Sequence, residues 1–254
     1  MTKLAISSIR HVVYRHWMSF RKMLRISIFP NLVDPILYLT AMGLGLGHFV
    51  GRMDGMPYLQ FITLGLIAGT AMNAATNEST VNAYIQMHLD KTYYEMSTSP
   101  VNLPDIIVGE AIWAGMRSVF FGTLFMGIAA LLGVFSSPAA LLIPLVLMIL
   151  GTLFGFLGLT FTLLAPTRDY LNYYTMLLVE PMFMFSNTFF PIGHIAPWLQ
   201  RVAWFSPLTH AVALIRGFAV GNWAGMAGHL IWLLVALLLI ASVPIQLVQK
   251  KLIY

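Results

Sequence analysis

From Ala139 to Ala165 the chain runs through 27 residues without one Asp, Glu, Lys, Arg or His. About 20 apolar residues in a helix are enough to cross the hydrocarbon core of a bilayer. Comparable runs recur at 28–50, 58–80, 106–135, 170–190 and 229–248. Backbone in lipid must satisfy its own hydrogen bonds, so runs of this length and spacing are read as helices. The expectation is an all-α membrane protein with six transmembrane helices in one domain, 1–254. Composition leaves little room for another class. Of the 254 residues 59% are hydrophobic and 9% charged, with mean hydropathy +0.81, whereas soluble domains carry about a quarter charged residues.

The segment before the first run is different. Ile6, Ile9, Val13, Trp17, Phe20 and Leu24 recur at steps of three and four, while Arg10, Arg15, Arg21 and Lys22 take the flanks and far side. That pattern predicts an amphipathic helix over 3–26 lying in the headgroup region of an anionic leaflet. Basic residues continue through Arg25 with no small-residue cleavage site, so the start does not read as a cleaved signal.

Charge then orients the spans. The N-terminal segment, the 81–105 connector, the Pro166–Asp169 turn and the C-terminus hold ten Lys and Arg. The opposite connections hold three, Arg52, Arg201 and Arg216. The positive-inside rule places both termini in the cytoplasm.

The 81–105 connector is the longest polar interval between two apolar runs. It carries Asp90, Lys91, Glu95, Tyr84, Tyr93 and Tyr94, and its Pro100 and Pro104 are expected to end a short helix. An insert of this size on the cytoplasmic side suggests a docking element for a partner that supplies energy. A second irregular interval, 191–228, is broken by Pro191, Pro197 and Pro207 and holds Trp198, Trp204 and Trp223. It is read as a re-entrant region whose two short helices dip into the outer interface, where Trp is favoured.

Polar groups inside spans are costly and mark function or a buried partner. Glu110 and Arg117 lie seven apart on one face, where pairing within the bundle is expected. Glu78 is read with Asn73, Asn77 and Asn82 as one polar ridge. Glu180 precedes Pro181, and Phe183 follows. Asn73, Asn77, Glu78, Glu180 and Phe183 are candidate pathway residues. Gly151, Gly155 and Gly158 form a close-packing face.

Several chemistries have no footing. The chain has no cysteine and no G-x-x-x-x-G-K-[ST], H-E-x-x-H or G-x-S-x-G. No catalytic residue, metal site or nucleic-acid partner is expected. His194 and His210 offer only a weak basis for the alternative of an intramembrane enzyme acting on lipid-linked sugar.

From Ser186 to Phe218 the chain reads SNTFFPIGHIAPWLQRVAWFSPLTHAVALIRGF. With the amphipathic start, six spans and long second connector, it resembles permeases of ABC-2 type ATP-binding-cassette exporters, most closely the nodulation-factor (lipo-oligosaccharide) export branch. The resemblance implies a homodimer in the bacterial inner membrane, engaging two copies of a separate ATPase that holds the ATP and magnesium. It places a coupling helix at about Gln86–Pro100, carrying Gln86, His88, Asp90, Lys91, Tyr93, Tyr94 and Glu95. It implies a pathway for a lipidated glycan along spans one, two and five, and re-entrant helices around Pro191, Pro197, Trp198 and Pro207 at the outer mouth. A drug, haem, or a capsular or O-antigen polysaccharide is the alternative cargo.

Overall fold

A computed structural model describes residues 5–98 and 101–251. Among them the chain is helical almost throughout. The exception is a two-residue antiparallel ribbon, β1 (Arg52–Met53) with β2 (Met56–Pro57), closed by Asp54 and Gly55 at positive φ. Two such residues suit the tight hairpin that joins the first two spans.

The helix α1 (Ile6–Tyr38) passes through a π-helical stretch, Leu39–Leu46, into α2 (Gly47–Val50). The expected boundary between an interfacial helix at 3–26 and a span at 28–50 is therefore not marked by a break in helical backbone. No glycine stands between Leu24 and Phe29, and Pro30 and Pro35 lie inside the helix, where proline kinks more readily than it terminates. Residues 3 and 4 of the expected interfacial helix lie outside the described residues.

The second span also outruns its forecast. Helix α3 (Tyr58–Asn77) continues through π-helical turns at Glu78–Asn82 and Ile85–Leu89, giving one helix from Tyr58 to Leu89. The extension persists because Ala83, Tyr84 and Met87 keep an apolar face that packs on neighbours. Lys91 then turns the chain in the left-handed conformation, and α4 (Thr92–Ser97) follows. The connector forecast at 81–105 thus shrinks at both ends. Helix α5 (Leu103–Leu131) begins before residue 106, with Pro104 inside its first turn instead of ending a helix. It stops short of 135 at Gly133, whose φ is positive.

A 3-10 turn at Pro138–Leu142 leads into α6 (Ile143–Leu164), the most extensive partner of α5. The glycine face behaves as expected. Gly151 meets Gly115 and Ser118, Gly155 meets Ala111 and Ala114, and Gly158 meets Ser79, with no space for a side chain at these crossings.

The fifth span departs most. It comprises α7 (Tyr170–Tyr174), a π-helical turn at Thr175–Val179 and α8 (Glu180–Phe185), while Ser186–Phe190 is not helical. Asn187 sits at positive φ, so the helix ends before 190, while Pro181 is accommodated in the first turn of α8. Next come α9 (Pro197–Trp204), α10 (Pro207–Val220) and α11 (Met226–Lys251). Among the described residues, five helical stretches are long and apolar enough to cross a membrane: 26–50, 58–89, 103–131, 138–164 and 226–250.

Candidate functional site

The connector presents one face and hides another. Leu89, Asp90, Lys91, Tyr94 and Glu95 are exposed, as is His88, whose ring lies tilted against Tyr84. Tyr93, read from sequence as a docking residue, is instead only 1% exposed and packs with Val12, Ile106 and Ile107. Burial and the neighbouring Glu110 carboxylate push its hydroxyl well above the ordinary tyrosine range. It anchors α4 to α1 and α5. Pro100, the expected end of the coupling stretch, lies outside the described residues.

Gln86 faces inward to a cluster of buried charges. Its Oε1 accepts from Arg15 Nη2 at 2.6 Å. Arg15 Nη2 lies 3.6 Å from Glu110 Oε1, which also accepts from His16 Nε2 at 2.6 Å. His16 Nδ1 is 3.9 Å from Glu78 Oε1. Glu78 accepts from Trp113 Nε1 at 2.8 Å and from Asn82 Nδ2 at 2.6 Å, and pairs with Arg117. His16 stacks on Trp113 at 5.6 Å, and Phe20 packs edge-on to the same indole. Two carboxylates and two guanidinium groups from three helices thus balance one another beside a cleft of about 480 Å³. The pairing expected for Glu110 and Arg117 is present, with α1 and α3 as the partners.

Arg15 therefore belongs to the cluster, whereas Arg10, Arg21 and Lys22 remain exposed. The face of α1 that turns to protein carries Ser8, Val12, His16 and Phe20, while Ile6 is 83% exposed and Trp17, which also touches Phe20 and Trp113, is 39% exposed. Part of the apolar stripe read from sequence thus points away from the protein, as a helix needs if lipid covers it.

Glu78 does not join Asn73 and Asn77. Successive helical residues are turned by about 100°, so Asn77 and Glu78 face different neighbours. Asn73 and Asn77 line a second, smaller groove of about 180 Å³ together with Glu180 and Phe183. Four of the five pathway candidates meet there. Asn31, Asp34, Thr70, Thr76 and Thr175 complete the polar lining, beside Tyr38. These were missed, although a carboxylate at the seventh residue of an apolar run was signal enough for Asp34. Phe183 is a buried wall of this groove, pressed over Gly69, where any side chain would collide with its ring.

On the opposite end, α9 leaves Trp198, Val202 and Trp204 exposed, as an interfacial helix should. Pro197 at its start is exposed and Pro191 before it is buried. Helix α10 follows that stretch and packs inward. From Pro207 onward it is buried against α3, α6 and α11. Arg216 on it donates through Nη2 to the carbonyls of Asn187 at 2.6 Å and Phe61 at 3.1 Å and lies 3.5 Å over the Phe61 ring. It ties the turn after the fifth span to the second. His210, bonded to the Trp204 carbonyl at 2.8 Å and to His229 Nδ1 at 2.8 Å, has a structural setting of the same kind.

Known proteins share this plan. The family described as ABC-2 type transporter matches residues 7–219. Nodulation protein J of Rhizobium leguminosarum bv. viciae is 38% identical over 209 residues, 82% of this chain and 80% of that protein. Nodulation protein J of Sinorhizobium fredii is 32% identical over 239 residues, 94% and 91% of the two chains. The inner membrane transport permease YadH of Escherichia coli is 25% identical over 197 residues, 77% and 75%. The chain therefore belongs to the ABC-2 type transporter family, as an all-α, multi-pass permease of a bacterial membrane.

Proposed function

We propose that two copies of this chain form the translocation pathway of an exporter for a lipo-oligosaccharide or lipid-linked glycan, driven by two copies of a separate ATPase that carries the ATP and magnesium. Both termini and the 88–95 turn lie in the cytoplasm, and the exposed residues from His88 to Glu95, excluding buried Tyr93, receive the ATPase. The observation that carries this is the buried charge cluster. It joins the root of the connector (Glu78, Asn82, Gln86) to α1 (Arg15, His16) and α5 (Glu110, Arg117). A push on the turn is passed to three helices at once, which suits rigid-body rocking between access states. The groove beside Asn73, Asn77 and Glu180 faces the uncovered sides of spans one and five and forms part of the pathway. Relatives named nodulation protein J favour a lipidated glycan as cargo.

The test is gentle purification from native membranes with mass spectrometry and an ATP-dependent release assay. An ATPase with a phosphate-binding loop should coelute with the chain. It should be lost when Gln86–Pro100 is shortened. Normal coelution after that deletion would refute the docking assignment, and cargo movement by vesicles holding only this chain would refute the borrowed engine.

A further inference from the structure

We propose that the groove between α1, α3 and the α7–α8 segment selects cargo by charge, accepting a hydroxyl- and amide-rich head that is neutral or cationic and rejecting one that bears phosphate. The inference rests on the permease reading and adds the chemistry of what passes. The groove is rich in acceptors. Thr70 and Thr175 spend their hydroxyl protons on the carbonyls of Leu66 at 2.8 Å and Leu171 at 3.3 Å, so each turns lone pairs to the cavity. Asp34 and Glu180 add two carboxylates, and among the described residues neither makes an ion pair. Among the described residues, no Lys, Arg or His lines the groove.

Donors are few. Asn31 gives an amide proton to the Ser27 carbonyl at 2.8 Å. Asn73 and Asn77 offer amide protons. Thr76, 3% exposed, has a hydroxyl without a hydrogen-bond partner. A buried polar atom left so is costly unless a ligand or water completes it. A sugar hydroxyl can both donate to Asp34 or Glu180 and accept from Thr76 or an asparagine. A phosphate monoester accepts only, and the two exposed carboxylates at the groove would repel it.

The full chain in nanodiscs of phosphatidylcholine is tested with two probes that share a fluorescent acyl chain, a neutral tetrasaccharide and the same compound carrying one phosphate monoester. The neutral probe should bind about tenfold tighter or more. Asp34→Asn with Glu180→Gln should close most of that gap by raising binding of the phosphorylated probe, at the elution volume of the native chain. Equal binding of both probes to the native chain, or of neither, would overturn the proposal. So would a double variant that keeps the gap, or one that changes oligomeric state instead, since the carboxylates would then serve contacts between copies. The permease reading is judged separately. ATP-driven release of neutral cargo alongside equal probe binding sinks charge selection alone, whereas no release with the ATPase present sinks the permease reading.

Discussion

One peptide bond divides the two polar sites. Asn77 turns to the groove and Glu78 to the cluster, where it is held by Arg117, Trp113 and Asn82. Removing one member of a buried ion pair strands the other charge and typically costs about 3–5 kcal/mol, whereas replacing both by apolar groups costs far less. Glu78→Leu should therefore lower the thermal midpoint of the solubilised chain markedly, and Glu78→Leu with Arg117→Met should recover much of the loss. A double variant as poor as the summed single ones would show that the pair is not the unit. Glu110 and Arg117 could be read as partners-in-waiting because charge at helical spacing inside a span demands compensation. His16 could not. Its partner is 94 residues away, and nothing in a surface-like amphipathic segment distinguishes a histidine that faces protein from one that faces headgroups.

At the scale of elements, spans were legible and their ends were not. Hydropathy reports where lipid or core is tolerated, and helices persist past it wherever a neighbouring face continues, as at Ala83, Tyr84 and Met87. The glycine seam was legible because small residues at i, i+4 and i+7 have one geometric use. Gly155→Leu should disrupt it, since the side chain would meet the backbone of Ala111 at 3.1 Å. Overpacking of this kind costs about 1–3 kcal/mol or more. Gly127→Leu, where nothing lies within 4 Å, should leave the chain monodisperse on size exclusion, and equal behaviour of the two would count against the seam. The docking turn makes a second prediction. Lys91 is in the left-handed region, which costs a residue with a side chain about 1–2 kcal/mol. Lys91→Gly should keep ATPase capture apart from the lost charge, and Lys91→Val should weaken it further. Capture by Lys91→Val equal to that of Lys91→Gly would show that the turn geometry does not matter.

Across the whole molecule the charge asymmetry is visible in sequence, but the topology turns on the fifth span, read at 170–190 and not among the five described stretches long and apolar enough to cross. Tyr170–Phe185 is 16 residues in three pieces, about 24 Å at about 1.5 Å per residue, and falls below the length that hydropathy rewards. If it crosses, both termini share a side and Arg201 lies opposite Lys91. If it does not, Arg201 returns to the side of Lys91. The chain has no cysteine, so a single introduced thiol is the only one that a maleimide can find. Arg52, Lys91 and Arg201 are all exposed. Arg52→Cys should react with an impermeant maleimide from outside intact cells, and Lys91→Cys only after the membrane is opened. Arg201→Cys should behave like Arg52→Cys on the proposed six-crossing topology; the charge count favours the 88–95 turn inside but is ten against three with five crossings as with six. An Arg201→Cys that stays protected while Arg52→Cys reacts would mean five crossings and move α9 away from the outer mouth. A Lys91→Cys that reacts from outside would leave the ATPase nothing to hold.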